Sequence, residues 1–212
     1  MSAGPEPLPP EEFRKLLEFE LPRWNLTAPD TTVAALARFL AELDRWRRRL
    51  NLTGRLSPSD LVSHALESVL GAPFLPDGAR VVDIGTGGGF PGVPLAVWRP
   101  DLELTWLEPR EKRAAFLRHV ARTLPVENAR ILVARQEDLP RKSFGFATSR
   151  AVTSEAGAWA DAPFLEAGGA LLLWTTASEK RVADLAAHGL RLEATLAVPG
   201  SRGRAIVLFR KA

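Results

Sequence analysis

Val-Val-Asp-Ile-Gly-Thr-Gly-Gly-Gly-Phe-Pro-Gly, at positions 81–92, is the stretch of sequence that decides the fold of this chain. Its apolar beginning predicts a strand, the glycines at Gly85, Gly87 and Gly89 predict a tight turn, and Pro91 suits the first turn of a helix. A strand, a glycine turn and a helix form the arrangement with which α/β folds bind nucleotide-like cofactors. Glycine lets the backbone approach a ligand closely and adopt a positive φ. The stretch therefore predicts an α/β domain with a cofactor site at this turn.

The acidic residue just before the glycines bears on which cofactor binds. A carboxylate at Asp83 would repel the pyrophosphate of a dinucleotide, whereas it favours the sulfonium and the α-ammonium of S-adenosylmethionine. Residues 87–92 also match the G-x-G-x-x-G pattern of dinucleotide sites, so a dinucleotide stays an alternative, as does a glycine turn that binds nothing. We interpret the stretch as an S-adenosyl-L-methionine site with Asp83, Gly85 and Gly87 among its binding residues.

Length and composition bound the class of protein. The chain has 212 residues, of which 46% are hydrophobic and 25% charged, as is typical of one globular α/β domain with a small extension. No apolar run approaches the roughly 20 residues of a membrane helix, and the first residues lack a secretory pattern. We therefore expect a cytoplasmic protein that acts as a monomer and away from membranes.

The counts of cysteine and histidine argue against metal and thiol chemistry, and the count of basic residues is compatible with RNA binding. There is no cysteine and there are only three histidines, scattered along the chain, so we expect no metal site and no thiol nucleophile. All but five of the 28 basic residues are arginine. Arginine pairs with phosphates and stacks on bases, although genomic base composition can produce the same bias. The charge is compatible with an RNA partner without identifying one.

The remaining pattern divides the chain into three parts. We expect residues 1–10 to be a disordered tail, residues 11–76 an all-helical extension and residues 77–212 the α/β domain. The predicted helices are Glu11–Phe19, one from a cap at Thr31 or Thr32 to Trp46, one from a cap at Ser57 to Leu70, Pro91–Trp98, Lys112–Leu124, Ala156–Ala162 and Glu179–His188. The predicted strands are Arg80–Ile84, Glu103–Leu107, Arg130–Ala134, Phe144–Ser149, Ala170–Trp174, Glu193–Ala197 and Ala205–Phe209. Strands separated by helices indicate a parallel sheet, and the short connections between the last three predict an antiparallel end.

Polar residues at the carboxyl ends of further strands complete the candidate site. Glu108 ends the second strand, where a carboxylate accepts both ribose hydroxyls of a nucleoside, although a solvated acid is the alternative. Gln136 and Glu137 follow the third strand, where an adenine amino group would lie, unless they form an ordinary polar loop. Arg150 ends the fourth strand in the ligand crevice, where it could contact the cofactor carboxylate or the target, or form a structural ion pair.

The residues at the end of the fourth strand also limit which methyl-transfer reactions are expected. Residues 149–152 are Ser-Arg-Ala-Val, where many enzymes that methylate exocyclic amines carry [DN]-P-P-[YF], and the chain has no tyrosine at all. The sequence therefore argues against methylation of adenine N6 or cytosine N4.

A set of motifs runs along nearly the whole chain. They are Asn51-Leu52-Thr53, His64 with Glu67-Ser68, the run from Asp83 to Leu95, Lys112-Arg113 with Phe116-Leu117, Glu137 in its acidic loop, and Ser149-Arg150-Ala151-Val152. In this set the chain resembles the RsmG (GidB) family, which methylates N7 of a guanine in small-subunit ribosomal RNA. The Phe-Pro-Gly-x-Pro-Leu run that begins at Phe90 is the most diagnostic part.

The resemblance implies a Rossmann-like class I S-adenosylmethionine-dependent methyltransferase fold, with 16S ribosomal RNA of the small subunit as partner. It implies that Gly85 and Phe90 line the methionine and ribose of the donor, and that Gln136 and Glu137 lie at the adenine. Arg150 would lie between donor and guanine, and Arg135 would meet RNA or hold the site, so these two arginines are the candidate catalytic residues.

The chain departs from the family pattern at three places. Glu108-Pro109 stands for Asp-Ser, Gly145 for an Asp, and Thr175-Thr176 for Lys-Gly. If the lost lysine binds RNA phosphate, RNA binding is weaker here or uses Arg181 instead. An RNA-binding relic, or a methyltransferase that acts on a small molecule, is therefore the alternative.

The expected chemistry demands little beyond positioning. Guanine N7 has an in-plane lone pair and no proton, so no general base is required, and orientation alone can contribute about 7–11 kcal/mol. A guanine that is moved out of its base stack in the RNA needs a planar side chain on which to stack. Trp46, Trp106 and Trp174 are candidates for that partner by position, but a tryptophan at such a position is more often a core residue.

Overall fold

The computed structural model describes residues 6–150, 162–176, 179–201 and 203–212. The helices are α1 (Pro10–Glu20), α2 (Asp30–Trp46), α3 (Pro58–Val69), α4 (Gly92–Trp98), α5 (Glu111–Thr123) and α6 (Glu179–Ala186). The strands are β1 (Arg80–Ile84), β2 (Glu103–Leu107), β3 (Ala129–Leu132), β4 (Phe144–Arg150), β5 (Leu165–Thr176), β6 (Leu190–Ala197) and β7 (Arg204–Lys211). None of the helices in these ranges is long and apolar enough to span a bilayer.

The strands form one seven-stranded sheet in the order β3-β2-β1-β4-β5-β7-β6. The first five strands pair in parallel, whereas β7 is antiparallel to both β5 and β6. The predicted parallel sheet with an antiparallel end is therefore confirmed. The strand order reverses at β1, which has β2 on one side and β4 on the other, and ligands of such sheets bind at this switch point beyond the carboxyl ends of the strands.

Most element boundaries agree with the sequence pattern. Ser57 caps α3 as predicted: its Oγ accepts the Asp60 N–H at 3.1 Å, and the Asp60 carboxylate accepts the Ser57 N–H at 2.8 Å. The predicted cap of α2 is wrong, because the helix starts at Asp30, with Pro29 as the N-cap residue, and so includes both threonines. The predicted helix Ala156–Ala162 lies almost wholly outside the described residues.

The helical extension packs onto the sheet. Phe13, Leu36 and Phe39 of the extension belong to the same buried cluster as Phe90 and Trp106 of the α/β part. At about 25 cal/mol per Å² of buried apolar surface, shared burial of this kind stabilises both parts together. The boundary between the helical extension and the α/β domain, placed between residues 76 and 77, therefore remains a prediction from the sequence pattern.

The start of the chain is also in contact with the extension. The Leu8 N–H donates to the buried carboxylate of Asp44 at 3.1 Å, and Pro10 begins α1. Leu8 and Pro10, which were predicted to belong to the disordered tail, therefore take part in the fold. Residues 1–5 of that tail lie outside the described residues.

Candidate active site

A cavity of about 660 Å³ lies at the carboxyl ends of β1, β2 and β4. The predicted site residues on its wall are Gly85, Gly87, Phe90, Glu108, Arg135, Gln136, Glu137 and Arg150. The structure thus brings together every predicted site residue except Asp83. The helical extension supplies further wall residues to which sequence reasoning assigned no role in the site, namely Leu52, Thr53, Gly54, Leu56 and His64.

The glycine turn is shaped by its backbone. Gly85 and Gly87 have φ values of 71° and 53°, in the left-handed region that side chains disfavour. The N–H groups of Gly85 and Thr86 both donate to the carbonyl of Leu107, at 2.9 and 3.1 Å, which ties the turn to the end of β2. A Cβ on Gly87 would lie 3.5 Å from Arg113 Nη1, on the cavity side of the turn. The turn therefore leaves the cavity open where a side chain would narrow it.

Asp83 requires a correction, because its side chain does not reach the cavity. The carboxylate is fully buried; it accepts the Thr148 hydroxyl at 2.9 Å and the Gly92 N–H at 3.1 Å. Gly92 permits this approach, since a Cβ there would lie 2.5 Å from Asp83 Oδ2. Burial raises the pKa of Asp83 to about 6. Asp83 thus supports the start of α4 behind the turn and is not placed to contact a ligand.

Glu108 does lie on the cavity wall, and it is almost completely buried, which excludes the solvated alternative. Its Oε2 accepts the Gly87 N–H at 3.0 Å and its Oε1 accepts the Arg110 N–H at 2.9 Å. A carboxylate has about four acceptor positions, so each oxygen can still accept a ligand hydroxyl. The two backbone contacts hold the carboxylate in a fixed orientation beside the turn.

The loop after β3 contributes a further part of the cavity wall. Residues 136–138 form a short 3-10 helix, and the Arg135 N–H donates to Asp138 Oδ2 at 3.0 Å. Arg135 and Glu137 are exposed, and Gln136 is half-buried. The predicted adenine-binding residues are therefore at the cavity, with Arg135 at its rim.

Arg150 forms an ion pair and also lies on the cavity wall. Its Nη2 lies 2.6 Å from Glu67 Oε2, and its Nη1 donates to the His64 carbonyl at 3.2 Å. Its guanidinium carbon is also 5.9 Å from the centre of the Phe90 ring. Arg204 approaches the same Glu67 oxygen at 3.0 Å. Arg150 is therefore an ion-paired residue that lines the cavity, held by a buried carboxylate of α3.

His64 is a wall residue for which the sequence suggested no role. Its ring packs edge-on against Phe90, with 5.7 Å between the ring centres. Burial and the positive charges of Arg150 and Arg204 lower the pKa of His64 to about 4, so the imidazole is neutral at pH 7. The spacing of His64 and Glu67 at i and i+3 on α3 is a signal that could have placed both at one site.

Two of the three candidate stacking tryptophans are core residues, which is the role that the sequence favoured for each of them. Trp106 is fully buried, and Trp174 is 5% exposed and donates its Nε1–H to the Glu67 carbonyl at 2.8 Å. Trp46 packs against Phe116 and His119 and is not part of the cavity wall. Of the aromatic side chains in the described ranges, Phe90 and His64 line the cavity.

Three comparisons identify the family. Residues 32–191 match the family model of rRNA small subunit methyltransferase G. A ribosomal RNA small subunit methyltransferase G from Xanthomonas axonopodis pv. citri is 38% identical over 184 residues, which cover 84% of this chain and 86% of that protein. The protein of the same name from Desulfotalea psychrophila is 41% identical over 128 residues, which cover 58% of this chain and 59% of that protein.

A solved structure supports the predicted fold class. A SAM-dependent methyltransferase from Aquifex aeolicus superposes on 69% of this chain and 89% of that chain, with a TM-score of 0.54 and 17% identity. The α/β domain predicted from the glycine turn and the Rossmann-like methyltransferase fold implied by the family resemblance are confirmed. The motif set and the matches over most of the length agree, and this chain therefore belongs to the rRNA small subunit methyltransferase G family.

Proposed function

We propose that this chain transfers a methyl group from S-adenosylmethionine to N7 of a guanine in 16S ribosomal RNA of the small subunit. The observation that carries the proposal is the meeting of the glycine turn, Glu108 and Arg150 at one cavity in a member of this family. When bound, S-adenosylmethionine supplies an electrophilic methyl group on its sulfonium.

The residues present fit such a donor. The cavity volume of about 660 Å³ lies within the usual range of about 300–1,000 Å³ for sites of small ligands and cofactors. Glu108 offers acceptors for ribose hydroxyls, and the Gly85–Gly87 backbone leaves room for close approach. Gln136 and Glu137, which also line the cavity, would hold the adenine.

The chain's own residues are suited to positioning the base. Guanine N7 carries no proton, so the protein has to orient the ring and needs no base to activate it. Arg150, fixed by Glu67, offers a planar cation beside Phe90, and neutral His64 adds a hydrogen-bonding group without a further charge. We expect these groups to hold the guanine between the donor and the extension.

The rim of the cavity is suited to RNA phosphates. Arg110 and Arg135 are exposed and lie on the wall from two different loops. Guanidinium groups bind phosphate bidentately, and each phosphate contact makes RNA binding more sensitive to salt. We expect Arg135 to contact the RNA flanking the target guanine.

Of the departures from the family pattern, Gly145 and Thr175 lie away from the cavity wall, whereas Glu108-Pro109 lies on it and keeps the carboxylate. Gly145 is the second residue of β4, at the opposite end of the strand from Arg150. Thr175 pairs with Ala205 near the carboxyl end of β5 and is half-buried. The side chains of Thr176 and Arg181 lie outside the described ones. The positions of Gly145 and Thr175 give no support to the relic alternative, because neither residue lines the cavity.

The test is transfer of a labelled methyl group to small ribosomal subunits that lack their guanine-N7 methyl, followed by mapping of the modified base. Label at that guanine is expected, and subunits that already carry the methyl are the control and should accept none. Donor binding by calorimetry without transfer to RNA would contradict the proposed substrate. As a monomer that needs no metal, the enzyme should keep its rate per molecule on dilution and in chelator.

A further inference from the structure

One short loop of the helical extension lies against the glycine turn. The extension loop, residues 51–56 between α2 and α3, provides Leu52, Thr53 and Gly54 to the cavity wall. A Cβ on Gly88 would lie 2.8 Å from the Leu52 carbonyl oxygen and 3.2 Å from Thr53 Cγ2. The loop therefore packs directly on the backbone of the turn, and the absence of a side chain at Gly88 makes room for it.

The extension loop is held at both ends by arginines. Arg47, the residue after the end of α2, donates to the Leu56 carbonyl at 2.6 Å, and it also pairs with Asp44, so this anchor belongs to the extension itself. At the other end, Arg113 Nη2 donates to the Asn51 carbonyl at 2.9 Å. Arg113 comes from α5 of the α/β part, 62 residues further along the chain. Its bond to Asn51 therefore joins the loop to the α/β part.

Arg113 also lies at the cavity. Its guanidinium is on the wall, and its Nη1 would be 3.5 Å from a Cβ on Gly87. One side chain thus spans the glycine turn and the extension loop. A hydrogen bond from a charged donor is stronger than one between neutral groups, although a half-exposed group such as this one gains less.

We propose that Arg113 is a positioning residue that clamps the extension loop onto the Gly87–Gly88 turn, so that the helical extension completes the donor cavity. The assignment of the donor rests on the proposed function, whereas the clamp itself rests on the contacts of Arg113 and Gly88. Without the clamp the loop must be ordered each time the donor binds, which costs affinity.

The experiment compares Arg113→Ala with Arg118→Ala by two measurements. Arg118 lies on the same helix and pairs at the surface with Glu111, so it is the matched control. Calorimetry with S-adenosylmethionine should show about tenfold weaker binding for Arg113→Ala and no change for Arg118→Ala. Hydrogen exchange without donor should be faster at the amides of residues 51–56 in Arg113→Ala only. Arg113→Lys, which keeps one charged donor, should recover part of both effects.

A second variant displaces the loop without removing the arginine. Gly88→Ala places a methyl group against the Leu52 carbonyl and should produce the same faster exchange and weaker donor binding with Arg113 intact. Unchanged exchange at residues 51–56 in Arg113→Ala would overturn the clamp, and weaker donor binding with unchanged exchange would mean that Arg113 touches the donor directly. A wild-type chain that binds no donor would contradict the proposed function, while the exchange measurement would still decide the clamp.

Discussion

Two regions face the same cavity, the glycine turn and the Arg150 cluster (His64, Glu67, Arg150 and Arg204), and they are built in different ways. The turn is shaped by backbone groups: Gly85 and Thr86 donate to the carbonyl of Leu107. The Arg150 cluster is built from side chains of α3, β4 and β7, and Glu67 is 83 residues from Arg150 and 137 from Arg204 along the chain. The turn therefore depends on local conformation, whereas the cluster exists only when three distant elements pack together.

The two regions also differ in how their buried carboxylates are compensated. In the turn, burial raises the pKa of Asp83, so the negative charge there is costly. In the cluster, Glu67 pairs with two arginines, and their excess positive charge helps to lower the pKa of His64. A site with a backbone half and a charged half can bind the donor mainly through the first and the nucleotide mainly through the second. The following predictions test this division of roles.

The largest expected effect is on donor binding by Gly87→Val. The side chain would project beside Glu108 and Arg113, within 3.7 Å of groups on the cavity wall, and should weaken the binding of S-adenosylmethionine by at least about 100-fold. Gly78→Val is the control, because Gly78 also has a positive φ, of 68°, but has nothing within 4 Å of an added Cβ. Both variants carry about 1–2 kcal/mol of backbone strain. Equal calorimetric affinities would show that the turn does not form the donor site.

The second effect is on the cluster, through Arg150→Ala. Removal of one partner from a buried ion pair costs about 3–5 kcal/mol, but Arg204 still pairs with Glu67 here, so we expect a smaller loss of unfolding free energy. Methyl transfer to RNA should fall at least about tenfold while donor affinity changes little, because the cluster would hold the base. Denaturant unfolding, calorimetry and the transfer assay measure the three quantities. Full transfer activity in a destabilised variant would make Arg150 a purely structural residue.

The smallest effect concerns acid stability. Since the pKa of His64 is about 4 in the folded chain and 6.5 ordinarily, the unfolded state takes up a proton first as pH falls from 6.5 to 4, and the folded chain loses stability. Asp83 acts in the opposite sense: with its pKa raised to about 6, its folded form is protonated first as pH falls from 6 towards 3.8.

His64→Asn should therefore lose less stability than the wild type between pH 6.5 and 4.5. Denaturant unfolding at both pH values measures the difference. The imidazole faces Arg150 and Arg204 as well as Asp60, whose negative charge opposes the shift. Identical pH dependences in the variant and the wild type would show that His64 does not titrate as the geometry indicates.

Sequence reasoning was most successful where the signal was local. The bounds of β1 and β2 follow from apolar runs, the cap at Ser57 follows from the Ser-Pro-Ser-Asp pattern, and Glu108 was correctly placed at the cavity because it ends a strand. Asp83 was assigned to the ligand because its place before the glycines does not indicate on which side of the turn its carboxylate lies. That side is decided by Thr148 and Gly92, whose hydroxyl and N–H groups donate hydrogen bonds to the buried carboxylate.

By itself, the sequence determined the strand–turn–helix unit at residues 81–92, the parallel sheet and the family, because these depend on residue types at short fixed spacings. Only the tertiary structure decided that Arg150 shares Glu67 with Arg204 and that Arg113 holds the extension loop. These contacts join residues that are 62 to 137 positions apart in the sequence. Their partners are selected by the packing of α3, α5 and β7 around one cavity, and no pattern of neighbouring residues specifies that packing.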